Sequence, residues 1–151
     1  MKKILLMLII VLSVSGAFAQ QSATDGVKQA INTLFGAMRK GDSALIKTVF
    51  AKEMVLQSIS TDKNGKAVIS VDSANDFAKA IGTPHSALYD ERTTFGDIKI
   101  DGDLASVWAP YKFYVGDKFS HCGVDVFSLM KTDRGWKIIY IVDTRRKDNC
   151  L

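Results

Sequence analysis

From Tyr89 to Arg145 the chain is a succession of strand-length runs joined by turns too short for anything but hairpins. This pattern limits the fold more than any other feature. Arg92–Ile100 is the first run, and Asp101-Gly102-Asp103 makes a tight turn after it. Leu104–Val115 follows, with an interruption or bulge expected at Pro110, because proline cannot donate to a ladder. Gly116-Asp117 leads into Phe119–Lys131, and Asp133-Arg134-Gly135 into Trp136–Arg145. Strands joined so tightly pair antiparallel, since a parallel neighbour needs a long crossover.

The first half reads differently. Val27, Ala30, Ile31, Leu34, Phe35 and Met38 recur at helical spacing, so residues 24–39 are expected to form a helix with one apolar stripe. Thr24 or Asp25 caps its start, and Lys40-Gly41 ends it. Asp42 then caps a short second helix reaching about Phe50. A strand over Met54–Ser60, the turn Asp62-Lys63-Asn64-Gly65 and a strand over Ala67–Val71 come next. Asp72 or Ser73 opens a third helix carrying Phe77, Ala78 and Ile81 and closed by Gly82. Helices first and a meander afterwards make the expected class α+β: three helices packed in a strongly curved antiparallel sheet.

The extreme N-terminus stands apart from this domain. Lys2 and Lys3 are followed by an apolar run over Ile4–Val14 and by Ala17-Phe18-Ala19, the three parts of a secretory leader. The apolar run is shorter than the roughly 20 residues that span a bilayer. Cleavage after Ala19 is expected, leaving residues 20–151 as one domain, exported to the periplasm or beyond and not held at a membrane. The net charge of +4 overstates the basicity of that domain, because Lys2 and Lys3 leave with the leader and no acid does. Nothing in the balance indicates a nucleic-acid partner. The basic cluster Arg145-Arg146-Lys147 reads equally as a solvated strand end or an anion-binding group.

Both cysteines, Cys122 and Cys150, fall in the exported part, where a disulfide is expected. It closes a loop of about 30 residues, worth roughly 3–4 kcal/mol in chain entropy. The alternative is two free thiols. Two cysteines without a CxxC, and two histidines, give no metal-ligand spacing, and no Gly-rich phosphate loop is present. No metal and no cofactor are therefore expected.

The order of elements and two phrases carry a family resemblance. "KGDSALIKTVFAKEMVL" after the first helix and the closing hairpin "FSLMKTDRGWKIIYIVD" are similar to the nuclear transport factor 2-like (cystatin-like, SnoaL-like) superfamily, close to its branch named for lumazine binding. The resemblance covers about residues 24–146. It implies a cone: a curved sheet wrapped around helices with a pocket between them. That superfamily holds isomerases, cyclases, dehydratases and association domains, so the resemblance does not settle function.

Alternation sorts the last two strands by face. His121, Gly123, Asp125, Phe127 and Leu129 share one face, and Ile139, Ile141, Asp143 and Arg145 share one face of the next strand. Pairing Thr132 with Trp136 puts both sets on one surface, and a slip of one residue separates them. Three readings follow. The first is a small-molecule pocket floored by Phe127, Leu129, Ile139 and Ile141, with Arg145 for an anionic group and Trp108 stacking on a planar ligand. The second is an enzyme, an isomerase, dehydratase or hydrolase in which His121 with Asp125 or Asp143 moves a proton. The third is a protein-interaction module, with a homodimer expected. Against the first two stands the plain alternative of an Asp143–Arg145 structural ion pair and an exposed His121.

Overall fold

The computed structural model describes residues 2–151, with side chains from residue 20 onward. The expected leader, residues 1–19, lies outside the described side chains. Among the described residues no helix is long and apolar enough to cross a membrane.

The chain builds α1 (Lys2–Lys40), α2 (Ser43–Val49), β1 (Phe50–Thr61), β2 (Ala67–Ser73), α3 (Ala74–Gly82), β3 (Tyr89–Thr93), β4 (Ile98–Asp101), β5 (Leu104–Val115), β6 (Lys118–Thr132) and β7 (Gly135–Thr144). The caps follow local chemistry. The Asp42 side chain accepts from Leu45 N at 2.9 Å, and Ser73 Oγ accepts from Asp76 N at 3.2 Å, so each satisfies an orphan amide of a helix start. Gly41, at φ 67°, takes the left-handed turn that stops α1.

One sheet holds all seven strands in the order β2-β1-β7-β6-β5-β3, with β4 also on β5. It is not wholly antiparallel as expected: β1 and β7 run parallel, with Ser58 opposite Asp143. Nothing local specifies that pairing. The inward row Met54, Leu56 and Ser58 needs a neighbour on the edge that β2 leaves open, and β7, more than 70 positions away in the chain, supplies it.

Two further expectations change. The run Arg92–Ile100 is two strands, β3 and β4, and the residues between Thr93 and Ile98 stay bonded to β5 in an irregular pattern. Pro110 sits opposite that stretch. Its carbonyl accepts from Thr94 N at 3.0 Å, and β5 passes through it without a bulge. The donor proline lacks falls where the pairing with the edge neighbour is already irregular. The β5 irregularity lies instead between Phe113 and Tyr114.

The β6–β7 register also differs near its turn. Gly135 adopts φ 89° and pairs with Thr132, one position earlier than expected, so Leu129 faces Ile138. A bulge then admits Ile139 as an extra residue, and beyond it the pairing becomes Phe127 with Ile141 and Asp125 with Asp143. The slip is cancelled before the polar end of the strands.

The core lies between α1 and the concave face. Val27, Ile31, Leu34 and Ala37 on the helix are almost wholly buried, as are Ala105, Val107, Phe127, Leu129 and Ile138 on the strands. Full burial of each larger side chain contributes about 1.5–3 kcal/mol. On the convex face, Cys122 is covered by the C-terminal tail, to which it is joined as the Cys122–Cys150 disulfide. Arg146 and Cys122 exchange both backbone hydrogen bonds, at 2.8 and 2.9 Å, and so align the tail for closure.

Candidate functional site

Toward β3 and α3 the concave side is not filled. A cavity of about 370 Å³ opens there, walled by Leu34, Phe35 and Met38 of α1, Phe77 of α3, and Phe113, Phe127 and Ile141 of the sheet. Phe35 meets Phe127 edge-on at 6.0 Å between ring centres, which fixes that wall. The other end is polar: Glu91, Tyr111, His121, Asp125, Asp143 and Arg145.

Strand alternation builds this polar end. Asp125 and Asp143 stand directly opposite each other on β6 and β7, both facing inward and only 5% exposed. Such pairs have Cα atoms about 4.5–5.5 Å apart. Arg145, the next inward residue of β7, donates from Nε to Asp143 Oδ2 at 2.8 Å. The Tyr111 hydroxyl lies 3.1 Å from the same oxygen and 2.9 Å from the Thr144 carbonyl, so two acceptors share its one proton. Tyr111 reaches across its partner on β6, Gly123. A Cβ at that position meets the Thr144 carbonyl oxygen at 1.7 Å and the Tyr111 ring at 2.9 Å, so only glycine permits the reach.

Glu91 enters from β3, lines the cavity and lies beside Asp125. Two buried carboxyls side by side favour keeping a proton. The energetics agree. Burial, and then the charge of Asp143, push Glu91 up to about 7 against the lowering influence of neighbouring Asp125 and of Arg145. Burial, and then Glu91, push Asp125 well above the usual carboxylate range. Burial, followed by the Asp143 charge, also raises the Tyr111 phenol and keeps it a donor. Burial and the nearby Arg145 lower His121, favouring its neutral form. Arg145 is raised, the bond and charge of Asp143 outweighing burial. Asp125 Oδ2, Asp143 Oδ1 and Ser58 Oγ are buried with no hydrogen-bond partner.

The structure brings together six of the residues singled out from sequence: His121, Asp125, Phe127, Ile141, Asp143 and Arg145 all line the cavity. Three others lie elsewhere. Leu129 is fully buried in the core beneath the cavity. Ile139 is the extra residue of the β7 bulge and so leaves the inward row. Trp108 is an even-numbered residue on a strand whose odd residues point inward, and it is 51% exposed on the convex face. His121 does not bond to either aspartate. Its Nδ1 lies 3.0 Å from Ser120 Oγ, and its ring packs on Phe113 at 5.0 Å. Asp125 lies beside Glu91 instead, a residue missed because the strand was taken to begin at Arg92. Its signal was Tyr89 and Glu91 at the same spacing as the later inward residues.

The family comparisons agree with this architecture. The sequence matches the family described as "Putative lumazine-binding" over residues 22–142. No curated protein matches it. Among solved structures, an NTF-2 like protein of unknown function from Silicibacter pomeroyi is similar with a TM-score of 0.64 and 16% identity, covering 84% of this chain and 98% of that one. A protein of unknown function from Mycobacterium tuberculosis has a TM-score of 0.66 and 14% identity, covering 88% and 77%. A domain of unknown function with a cystatin-like fold from Nostoc punctiforme has a TM-score of 0.62 and 13% identity, covering 85% and 80%. At these identities the structural likeness shows the fold alone. With the family match spanning most of the chain, the protein belongs to this family, and its fold is that of the NTF2-like and cystatin-like structures.

Proposed function

We propose that this protein is an exported small-molecule-binding domain whose ligand occupies the cavity between α1, α3 and the concave sheet. One observation carries the reading. An apolar space of about 370 Å³ ends in buried polar groups with unmet hydrogen bonds. Core polar groups are normally satisfied, and each exception needs a reason. A ligand that fills the apolar part and meets those groups supplies one. A volume of this size suits a small organic molecule.

The leader-like residues 1–19 and the disulfide support export. The mass of the protein recovered from the exported fraction tests that half of the proposal: it should begin at Gln20. For the pocket, the test is native mass spectrometry of protein purified from its own host. A bound small molecule that is lost on denaturation is expected. Protein that is always empty, and that no member of a diverse fragment library stabilises, contradicts the reading.

A further inference from the structure

We propose that the cavity selects an organic cation, a small amine on an apolar or aromatic body, with its ammonium seated between Asp125 and Asp143. This deepens the pocket reading and rests on it.

The argument starts from the charges that face the space. Asp72, Glu91, Asp125 and Asp143 line the cavity, against one guanidinium, Arg145. Among the described residues, no charged side chain of α1 or α3 lines it. The one cation is already engaged: Arg145 Nε and the Tyr111 hydroxyl both address Asp143 Oδ2. Asp143 Oδ1 and Asp125 Oδ2 remain without donors, in residues 95% buried by their 5% exposure. Once Asp125 has given up the proton it holds in the empty site, both atoms accept hydrogen bonds, and a ligand that answers them must donate. An ammonium carries three donors and no acceptor.

Placement points the same way. Asp125 and Asp143 are direct cross-strand partners, and like charges in that position repel. A cation between them turns the repulsion into two charge-assisted hydrogen bonds. The rest of the space suits the remainder of such a molecule. Phe35, Phe77, Phe113 and Phe127 offer aromatic surface to an apolar body and π-faces to a cation. A carboxylate ligand in the same place meets acceptors on three sides.

The empty site uses a proton as its substitute. Asp125 faces Glu91 from β3, Tyr111 from β5, His121 on its own strand, and Asp143 and Arg145 from β7. Burial and mutual proximity favour a proton on the Glu91–Asp125 pair, which a bound ammonium makes unnecessary. Binding of a protonated amine near pH 7 therefore releases a proton to solvent. No bond to carbon forms or breaks.

The test uses three molecules of nearly one shape: tryptamine, tryptophol and indole-3-acetate. Titration calorimetry of the mature protein at pH 7.5 should show tryptamine binding at least about ten-fold tighter than tryptophol, with indole-3-acetate weakest. Repeating the titration in buffers of different ionisation heat should show proton release. Asp125→Asn and Glu91→Gln, which preserve shape, should reduce the preference for the amine. Arg145→Gln should leave that preference intact or increase it. Equal or tighter binding of indole-3-acetate, abolished by Arg145→Gln, overturns the proposal in favour of an anion site and leaves the pocket reading standing. A non-cationic ligand found by native mass spectrometry does the same. Failure of all three probes also overturns it, and if the purified protein is empty as well, the pocket reading falls with it.

Discussion

Asp90 and Glu91 are neighbours on β3 with opposite surroundings. Asp90 is 5% exposed, and its two oxygens each accept a hydrogen bond at 2.8 Å, one from Arg39 of α1 and one from Arg92. Arg92 also lies 4.2 Å above the Tyr114 ring. Every strong acceptor there has a donor. Glu91, one residue on, faces a cavity in which carboxyls outnumber cations and buried oxygens lack donors. The first cluster ties the end of α1 to an edge strand. On the reading proposed above, the second keeps acceptors available for a ligand. Burial and charge density alone do not distinguish the two clusters; the completeness of their hydrogen bonding does.

The largest expected effect comes from the covalent support that only one cluster has. The Cys122–Cys150 disulfide spans 28 positions and anchors the strand ends bearing His121, Asp143 and Arg145. Replacing both cysteines by serine should cost about 3–4 kcal/mol in urea unfolding by loop entropy. Hydrogen exchange should accelerate at the Cys122 and Arg146 amides, and not at Asp90–Arg92. Equal acceleration on β3 breaks the proposed separation of the two regions.

Gly123→Ala comes next. Its Cβ collides with the Thr144 carbonyl and the Tyr111 ring, so the strands must part or Tyr111 must leave Asp143. A loss of about 2–3 kcal/mol is expected, read from denaturant midpoints. The Arg39–Asp90 contact should survive, which the chemical shifts of the Arg39 side chain report.

Neutralising the acids themselves gives opposite signs. Asp90→Ala removes two hydrogen bonds to guanidiniums that stay more than half exposed, so a loss of about 1–2 kcal/mol is expected after solvent screening. Asp125→Asn at pH 8 relieves repulsion from Glu91 and Asp143, and unchanged or higher stability is expected. If both variants destabilise alike, the second cluster is structural too.

The smallest effect is the pH dependence. Glu91 is raised from 4.5 to about 7 in the folded protein, and Asp125 is raised in the same direction. Between those two values the native state holds more protons than the unfolded chain, so stability declines as pH rises from about 4.5 through 7. Below about 4.5 both states are protonated at Glu91, and its contribution is constant. Glu91→Gln should flatten this decline in a series of melting curves. A slope unchanged from the parent shows that Glu91 does not hold the extra proton.

Much of the scaffold was legible because its signals are local. The apolar stripe from Val27 to Met38, the Asp42 and Ser73 caps and the turns at Gly102 and Gly116 depend on residues within a few positions of each other. The cavity-facing residues of β6 were legible for the same reason, since alternation needs one strand only. Glu91 and the Glu91–Asp125 contact were not, because they depend on where β3 starts and which strand lies beside it. The exclusion of Ile139 was equally hidden, since a bulge is a property of two strands together.

Sequence alone determined the α+β class, the order of elements and the common face of His121, Asp125 and Phe127, and it made the Cys122–Cys150 pairing an expectation that the structure bears out. Each follows from steric period, capping or covalent chemistry acting over a short span. Only the tertiary structure decided that β1 lies parallel to β7, that Trp108 faces outward and that Glu91 stands beside Asp125. Those outcomes come from long-range packing, in which many weak contacts are satisfied together and no stretch of chain carries the answer by itself.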